Sequence, residues 1–284
     1  MSVSVYFLSM KLSLPVKFLL GVVIVGVALV AIVALSIVID GAIGGGRVDE
    51  FTNTEIRVGG VDGSVIRGYV AVPDGPGPHP AVIMVHEFFG LRPSIIEKAD
   101  LLASDGYLVV APDLYRGAST GWIPRAIVLS ATVDQRRVIT DLDAVFAWLR
   151  DRDDVVPDSI GLVGFCFGGR HGMRYALDNP DLAAVAVFYG AVPQSAADLG
   201  AFETPVLGVF GRRDRSIPVD EVKRFESALR ERGVSHRVTI YDDVGHAFVT
   251  GAEAIAAGGA AGAAWNELRV FFGEKLAGSS ATVR

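Results

Sequence analysis

From Asp49 onward, short apolar runs rich in β-branched residues alternate with longer segments of helical spacing, and this alternation leaves few folds open. The runs are Ala81–Val85, Tyr107–Ala111, Ile160–Val163, Ala183–Phe188, Val206–Phe210 and Arg237–Tyr241. Most are continuously apolar, as strands buried on both faces must be. Between and after them, Ile95–Ser104, Gln135–Arg150, Gly169–Asp178, Val219–Arg232 and Ala263–Leu276 mix polar and apolar residues at helical spacing. Strand and helix in alternation predict an α/β fold, a mostly parallel sheet with crossover helices on both faces. Upstream, Glu55–Val58 and Val65–Val72 flank Gly59-Gly60-Val61-Asp62-Gly63, which predicts an antiparallel hairpin on the sheet edge. The glycine- and alanine-rich stretch Gly251–Gly262 is ambiguous.

A different pattern occupies the N-terminus. Phe18 to Ile39 runs without a charge and is rich in Val, Leu, Ile and Ala, long enough as a helix to cross a bilayer core of roughly 30 Å. Lys11 and Lys17 precede it and Asp40 follows it. Positive flanks stay cytoplasmic, so a single-pass anchor with the catalytic part outside is expected. A cleaved signal peptide competes, but its apolar core is usually about 7–15 residues long and ends at a small-residue cleavage site. The expected organisation is a short segment 1–17, a transmembrane helix 18–39, a flexible glycine-rich linker 40–48 and one α/β domain 49–279.

The net charge of −6 offers no excess of positive charge for phosphates, so nucleic acid is not an expected partner. Cys166 is the single cysteine, which rules out an internal disulfide and a C-x-x-C redox pair. His86-Glu87-Phe88-Phe89-Gly90 lacks the second histidine of a zinc-protease helix, and neither a phosphate loop nor a dinucleotide fingerprint is present. No metal or cofactor is expected.

Gly164-Phe165-Cys166-Phe167-Gly168-Gly169 lies between an expected strand and an expected helix. This is the nucleophile-elbow pattern with sulfur in place of oxygen: small neighbours let the backbone pass closely, and the turn lifts the nucleophile above the sheet edge. A cysteine at a helix N-terminus is also biased towards thiolate by the dipole and the free N–H groups. By itself the motif is equally compatible with a small buried hydrophobe. Two further strand ends weigh against that: Asp214 follows Val206–Phe210, and His246 follows Arg237–Tyr241. Nucleophile, acid and histidine in this chain order are the α/β-hydrolase arrangement. Cys166 would attack, His246 would hold the thiolate and protonate the leaving group, and Asp214 would orient the imidazole. Isolated, Asp214 reads as a turn carboxylate and His246 as a solvated loop histidine.

With these residues in view, the chain from about Phe51 to Leu276 resembles the dienelactone hydrolase family, the cysteine-using branch of the α/β-hydrolases. The resemblance is carried by Val85-His86-Glu87-Phe88-Phe89-Gly90, Ala111-Pro112-Asp113-Leu114-Tyr115-Arg116-Gly117, Gly164-Phe165-Cys166-Phe167-Gly168-Gly169 and Gly245-His246-Ala247-Phe248. It implies a Cys166, His246 and Asp214 triad, an acyl-enzyme intermediate, and an oxyanion hole from the backbone N–H groups of Phe88 and Phe167. It further implies that Glu87 interacts with the resting thiol and helps to generate the thiolate.

The sequence departs from the family where the family binds a substrate carboxylate. Thr250 stands where the dienelactone-cleaving members carry an arginine, and Ala247 stands for a serine. A second family arginine lies upstream of the elbow, near Arg125, Arg136 and Arg137. Phe88, Phe89 and Trp122 suggest an apolar pocket, so uncharged esters are expected over carboxylate-bearing lactones. The implied function is hydrolysis of a small-molecule ester or lactone; the alternative is a membrane-tethered, non-catalytic binding module on the same fold.

Overall fold

The computed structural model describes residues 14–44, 52–57 and 64–276. Its centre is an eight-stranded sheet in the order β1-β2-β4-β3-β5-β6-β7-β8. The strands are β1 (Thr54–Arg57), β2 (Val65–Ala71), β3 (His79–Val85), β4 (Leu108–Pro112), β5 (Val155–Phe165), β6 (Ala184–Phe188), β7 (Val206–Gly211) and β8 (His236–Tyr241). β1 and β2 pair antiparallel and β2 runs antiparallel to β4, whereas β4-β3-β5-β6-β7-β8 are all parallel. The expected edge hairpin and all six expected parallel strands are present. The turn 59–63 lies outside the described residues.

Alternate residues of each central strand face opposite layers, as the two-residue period of a strand dictates. Ile83 and Val85 pack with Val138, Leu142 and Val145 of α4 (Gln135–Arg150), Met173 of α5 (Phe167–Asp178) and Phe225 of α7 (Val219–Glu231). Val82 and Met84 face the other way, onto Ile95 and Leu102 of α2 (Pro93–Ser104) and Trp265 and Leu268 of α9 (Gly259–Lys275). A sheet covered on both sides explains why these strands read as unbroken apolar runs. Three helices were not expected: α3 (Ile123–Thr132), the single turn α6 (Ala196–Leu199) and α8 (Ala252–Ala256), which resolves part of the ambiguous glycine-rich stretch.

At the N-terminus, α1 (Leu14–Ile39) is an uninterrupted helix whose described side chains from Phe18 to Leu35 are all exposed. The helical path continues through one π-helical turn, Asp40–Gly44, where a flexible linker was expected. The reason lies in Asp40, whose carboxylate accepts hydrogen bonds from Thr120 Oγ1 at 2.6 Å and Arg125 Nη1 at 3.2 Å. The rest of the expected linker lies outside the described residues.

Register aligns the carboxyl ends of the parallel strands: Val85 pairs with Gly164, Phe165 with Phe188, and Gly211 with Tyr241. Ligands of open α/β sheets bind beyond such ends. Helix α5 comes very close to this edge, because a Cβ added to Gly168 would collide with the Val85 carbonyl oxygen. A Cβ on Gly172, one turn later in the same helix, would meet only the end of the Leu162 side chain. Both substitutions to alanine gain about 1 kcal/mol of helix propensity, but only one collision is with immovable backbone. Gly168→Ala is therefore expected to cost about 1–3 kcal/mol net through overpacking, while Gly172→Ala stays within about 1 kcal/mol of wild type. Urea unfolding of the full chain in detergent micelles, followed by circular dichroism, measures both.

Candidate active site

Cys166 is the residue between β5 and α5, and it adopts φ 54° and ψ −109°. Positive φ is costly for a non-glycine residue and persists only where the surroundings over-determine it. Here the constraint is threefold. The Cys166 N–H donates to the Phe188 carbonyl at 2.9 Å, Gly164 and Gly168 leave no room for a Cβ between strand and helix, and Gly190 lets β6's end pass against Gly169. The result is a half-buried thiol at the start of α5, projecting beyond the sheet.

Asp214 and His246 come to it from the ends of β7 and β8. Asp214 is buried, and its Oδ1 accepts from the backbone N–H groups of Ser216 at 2.7 Å and Ile217 at 3.1 Å. These bonds leave Oδ2 directed at His246, 2.7 Å from Nδ1, while His246 Nε2 lies 3.0 Å from Cys166 Sγ. The structure thus joins the three expected triad residues in one hydrogen-bonded line. Burial alone would lower the His246 pKa, but the hydrogen bonds and negative charge of Cys166 and Asp214 outweigh it and raise it from 6.5 to about 9.

The loop after β3 is organised by His86, which the sequence analysis gave no role of its own. His86 is fully buried; the Leu114 N–H donates to its Nε2 at 3.3 Å, so the proton is on Nδ1, which donates to the Glu87 carbonyl at 2.7 Å. Burial pulls the His86 pKa down to about 4 against the bond to the Glu87 carbonyl, so the ring is neutral at physiological pH. Tyr115 adds a second brace by donating from its hydroxyl to the Phe88 carbonyl at 3.2 Å. Together they fix the backbone of Glu87 and Phe88. Tyr189, at the end of β6, was also missed: its ring lies 5.3 Å from the His246 ring and is fully buried. Its position just after a central strand was the available signal.

Glu87 is not brought to the sulfur. Its Oε1 accepts a long hydrogen bond from the Tyr189 hydroxyl at 3.4 Å and lies 4.0 Å from Lys98 Nζ. Lys98 has no exposed surface and no hydrogen-bond partner; burial lowers its pKa, and the charge of Glu87 opposes that shift. The Glu87 carboxylate is thus turned towards Tyr189 and Lys98, and among the described residues it makes no hydrogen bond to Cys166.

A cavity of about 320 Å³ opens over the thiol, lined by Phe88, Cys166, Phe167, Tyr189 and His246, with Ser130 of α3, Arg170 of α5 and Ile217 at its sides. Several expected pocket residues are elsewhere. Phe89 packs on Phe88 and under Arg92, Trp122 donates from Nε1 to Ser36 of α1 at 3.2 Å, and Thr250 is exposed away from the cavity. The upstream arginines are also otherwise engaged: Arg125 with Asp40, and Arg137 with the Leu114 carbonyl at 3.3 Å, while Arg136 lies on the exposed side of α4. The cation at the cavity is Arg170, one helical turn after Cys166, which sequence reasoning passed over. An uncharged substrate was expected because Thr250 replaces an arginine; with Arg170 at the rim, that ground for excluding a carboxylate falls away.

Comparison with known proteins identifies the family of the chain. The family profile of the dienelactone hydrolase family matches residues 66–276. A Synechocystis protein bearing the provisional name carboxymethylenebutenolidase is 31% identical over 230 residues, covering 74% of this chain and 92% of its own. Its provisionally named counterpart in Escherichia coli K12 is 32% identical over 216 residues, 66% of this chain and 79% of that protein. Among solved structures, a provisionally named dienelactone hydrolase from Klebsiella pneumoniae superposes with a TM-score of 0.66 at 31% identity, covering 78% of this chain and 98% of that one. A dienelactone hydrolase-like promiscuous phosphotriesterase from metagenomic libraries shares the fold, with the same TM-score at 23% identity over 78% of this chain and 97% of that one. The chain belongs to the dienelactone hydrolase family and is a hydrolase of the ester or lactone type.

Proposed function

We propose that this protein hydrolyses carboxylic esters or lactones through an acyl-enzyme on Cys166, from a domain anchored at the outer face of a membrane. The observation that carries the catalytic part is the line from Asp214 Oδ2 through His246 to Cys166 Sγ, with contacts of 2.7 and 3.0 Å. The thiolate is the nucleophilic form of cysteine, and His246 Nε2 is placed 3.0 Å from the sulfur to hold its proton. Sγ attacks the carbonyl carbon and the carbonyl oxygen becomes an oxyanion. The Phe167 N–H, at the first helical position of α5, has no partner within its helix. With the Phe88 N–H, held in its braced loop, it would receive that charge. His246 then gives its proton to the departing alkoxide. Water, deprotonated by His246, attacks the thioester carbonyl, and the acid leaves as Cys166 regains the thiolate. Asp214 keeps the imidazole oriented and stabilises its charged form. Glu87 is assigned here to balancing Lys98, not to contacting the thiol.

The anchor reading rests on α1. Within Phe18–Ala42 the most apolar window has a mean hydropathy of 3.3, and none of that window is buried by the rest of the chain. Packing against the domain therefore does not account for its apolarity. Lys11 and Lys17 on its amino side argue for a cytoplasmic N-terminus. Protease added to intact cells is expected to degrade the domain; protection until lysis would reverse the topology, and release into the medium would indicate cleavage of a signal.

Cys166→Ser is expected to keep the circular dichroism spectrum and lose roughly a hundredfold or more in kcat/KM for p-nitrophenyl acetate, since a hydroxyl ionises far less readily than a thiol. Mass spectrometry of wild type quenched during turnover should find one acyl group on Cys166. An active serine variant, or an unmodified cysteine at steady state with acylation shown to be faster than hydrolysis, contradicts the mechanism. The His246 pKa also sets a pH window. A folded-state pKa raised from 6.5 to about 9 contributes stability that is fully present below 6.5 and lost as pH rises through about 9. The difference in urea stability between wild type and His246→Ala should therefore narrow across that interval, and kcat/KM should fall on the alkaline side with its limb near 9.

A further inference from the structure

Helix α3 is apolar in composition, with Arg125 as its single charged residue, and that guanidinium pairs with Asp40. Its inner side is accounted for: Ala126 is fully buried and Leu129 packs against the core. Its outer side is not. Ile123 is 57% exposed, Ile127 55% and Val128 41%, and Trp122 at the helix N-cap is 45% exposed. Ile123 and Ile127 are four residues apart and stack on one face of the helix. Scattered exposed apolar residues are ordinary, but an aliphatic helical face with no charge on it marks a contact surface.

The location of this face identifies what covers it. The chain leading into α3 and its first turn are fastened to Ser36 of α1 and to Asp40 just beyond it by three hydrogen bonds: Trp122 Nε1 to Ser36 Oγ, Thr120 Oγ1 to Asp40 Oδ2, and Arg125 Nη1 to Asp40 Oδ2. Ser36 and Asp40 bracket the point where the uncharged run of α1 ends. At 1.5 Å per residue, Ser36 is about 6 Å deeper along α1 than Asp40. With α1 across a bilayer, Asp40 is at the polar surface and Trp122 reaches down to the level of Ser36, the depth that suits an indole. The aliphatic face of α3 then meets the acyl boundary, where interfacial helices bury their apolar sides roughly 5–10 Å. The exposures quoted include the covering effect of α1, so the anchor itself does not satisfy this face.

We propose that α3 is an interfacial helix whose Trp122, Ile123, Ile127 and Val128 seat the domain on the bilayer, so that the catalytic cavity opens at the lipid surface. The link to catalysis is Ser130, which stands on α3 and lines the cavity of Cys166. Esters held in the bilayer would reach the thiol without crossing bulk water. This inference rests on the anchor and hydrolase readings above.

The test uses the full chain reconstituted in phosphatidylcholine vesicles. Lipids brominated near the headgroup should quench wild-type tryptophan fluorescence, and most of that quenching should vanish in Trp122→Phe. The double variant Ile123→Glu, Ile127→Glu alters only exposed positions outside the cavity. It should hydrolyse soluble p-nitrophenyl acetate at the wild-type rate and lose about tenfold in rate on a long-chain ester embedded in the same vesicles, because two partly buried isoleucines no longer enter lipid. Unquenched Trp122 in a wild-type chain that resists carbonate extraction overturns the proposal while leaving the anchor intact. A chain that carbonate does extract overturns both. Equal loss on soluble and vesicle-borne esters also overturns it, as does a dimer that the double variant dissociates while Trp122 remains unquenched, since the face would then belong to a second copy. Absence of any wild-type turnover of the soluble ester would instead refute the hydrolase reading.

Discussion

The left-handed backbone of Cys166 is the constraint around which the functional half of the molecule is arranged. At φ 54° and ψ −109° the residue costs on the order of 1–3 kcal/mol relative to relaxed geometry. That cost is tolerated because β5 on one side and α5 on the other are both buried against the central sheet. Strand and helix fix the two ends of the turn, glycines 164 and 168 permit their close approach, and the Phe188 carbonyl captures the Cys166 N–H. The thiol is therefore presented from a buried strand–helix junction, while its partners stand on the turns after β7 and β8.

Around this point, buried polar groups act by holding backbone and charge in place. His86, neutral and satisfied at both nitrogens, ties the loop after β3 to the loop after β4. Tyr115 repeats the tie at Phe88. On the opposite layer, Lys98 lies 4.5 Å from the centre of the Phe165 ring and draws Glu87 towards itself. An amine with no access to water is best placed beside an opposite charge, and Glu87, which also accepts from Tyr189, lies 4.0 Å from it. Among the described residues the sulfur's hydrogen-bond partner is His246.

The N-terminal helix is coupled to this architecture through few but specific contacts. Asp40 receives both Thr120 and Arg125, converting what a glycine-rich sequence suggests is a slack tether into a fixed turn. The carboxyl end of α1 and the amino end of α3 are thereby held together, and Ser130 of α3 lines the cavity over the thiol. The orientation of α1 and that of the cavity mouth are consequently not independent.

The sequence by itself determined the layered α/β fold, the order of its elements and the three residues that folding joins in one hydrogen-bonded line. Each of these depends on local periodicity or on position at the end of a strand: Val82 and Ile83 face opposite layers because of the strand period, and Cys166, Asp214 and His246 each follow a readable apolar run. What tertiary structure decided concerns groups whose partners lie far away in the chain. Glu87 was read as a partner of the thiol, yet its neighbour is Lys98, whose burial no local pattern announces. Trp122 was read as part of the pocket, yet its indole bonds to Ser36, 86 residues earlier. Arg170 was passed over because a charged residue on a helix is usually solvated, and only the packing of α5 beneath the cavity brings it to the rim. Backbone periodicity is set by neighbours in sequence, whereas the direction of a long or charged side chain is set by whatever desolvated charge or open space folding brings within its reach.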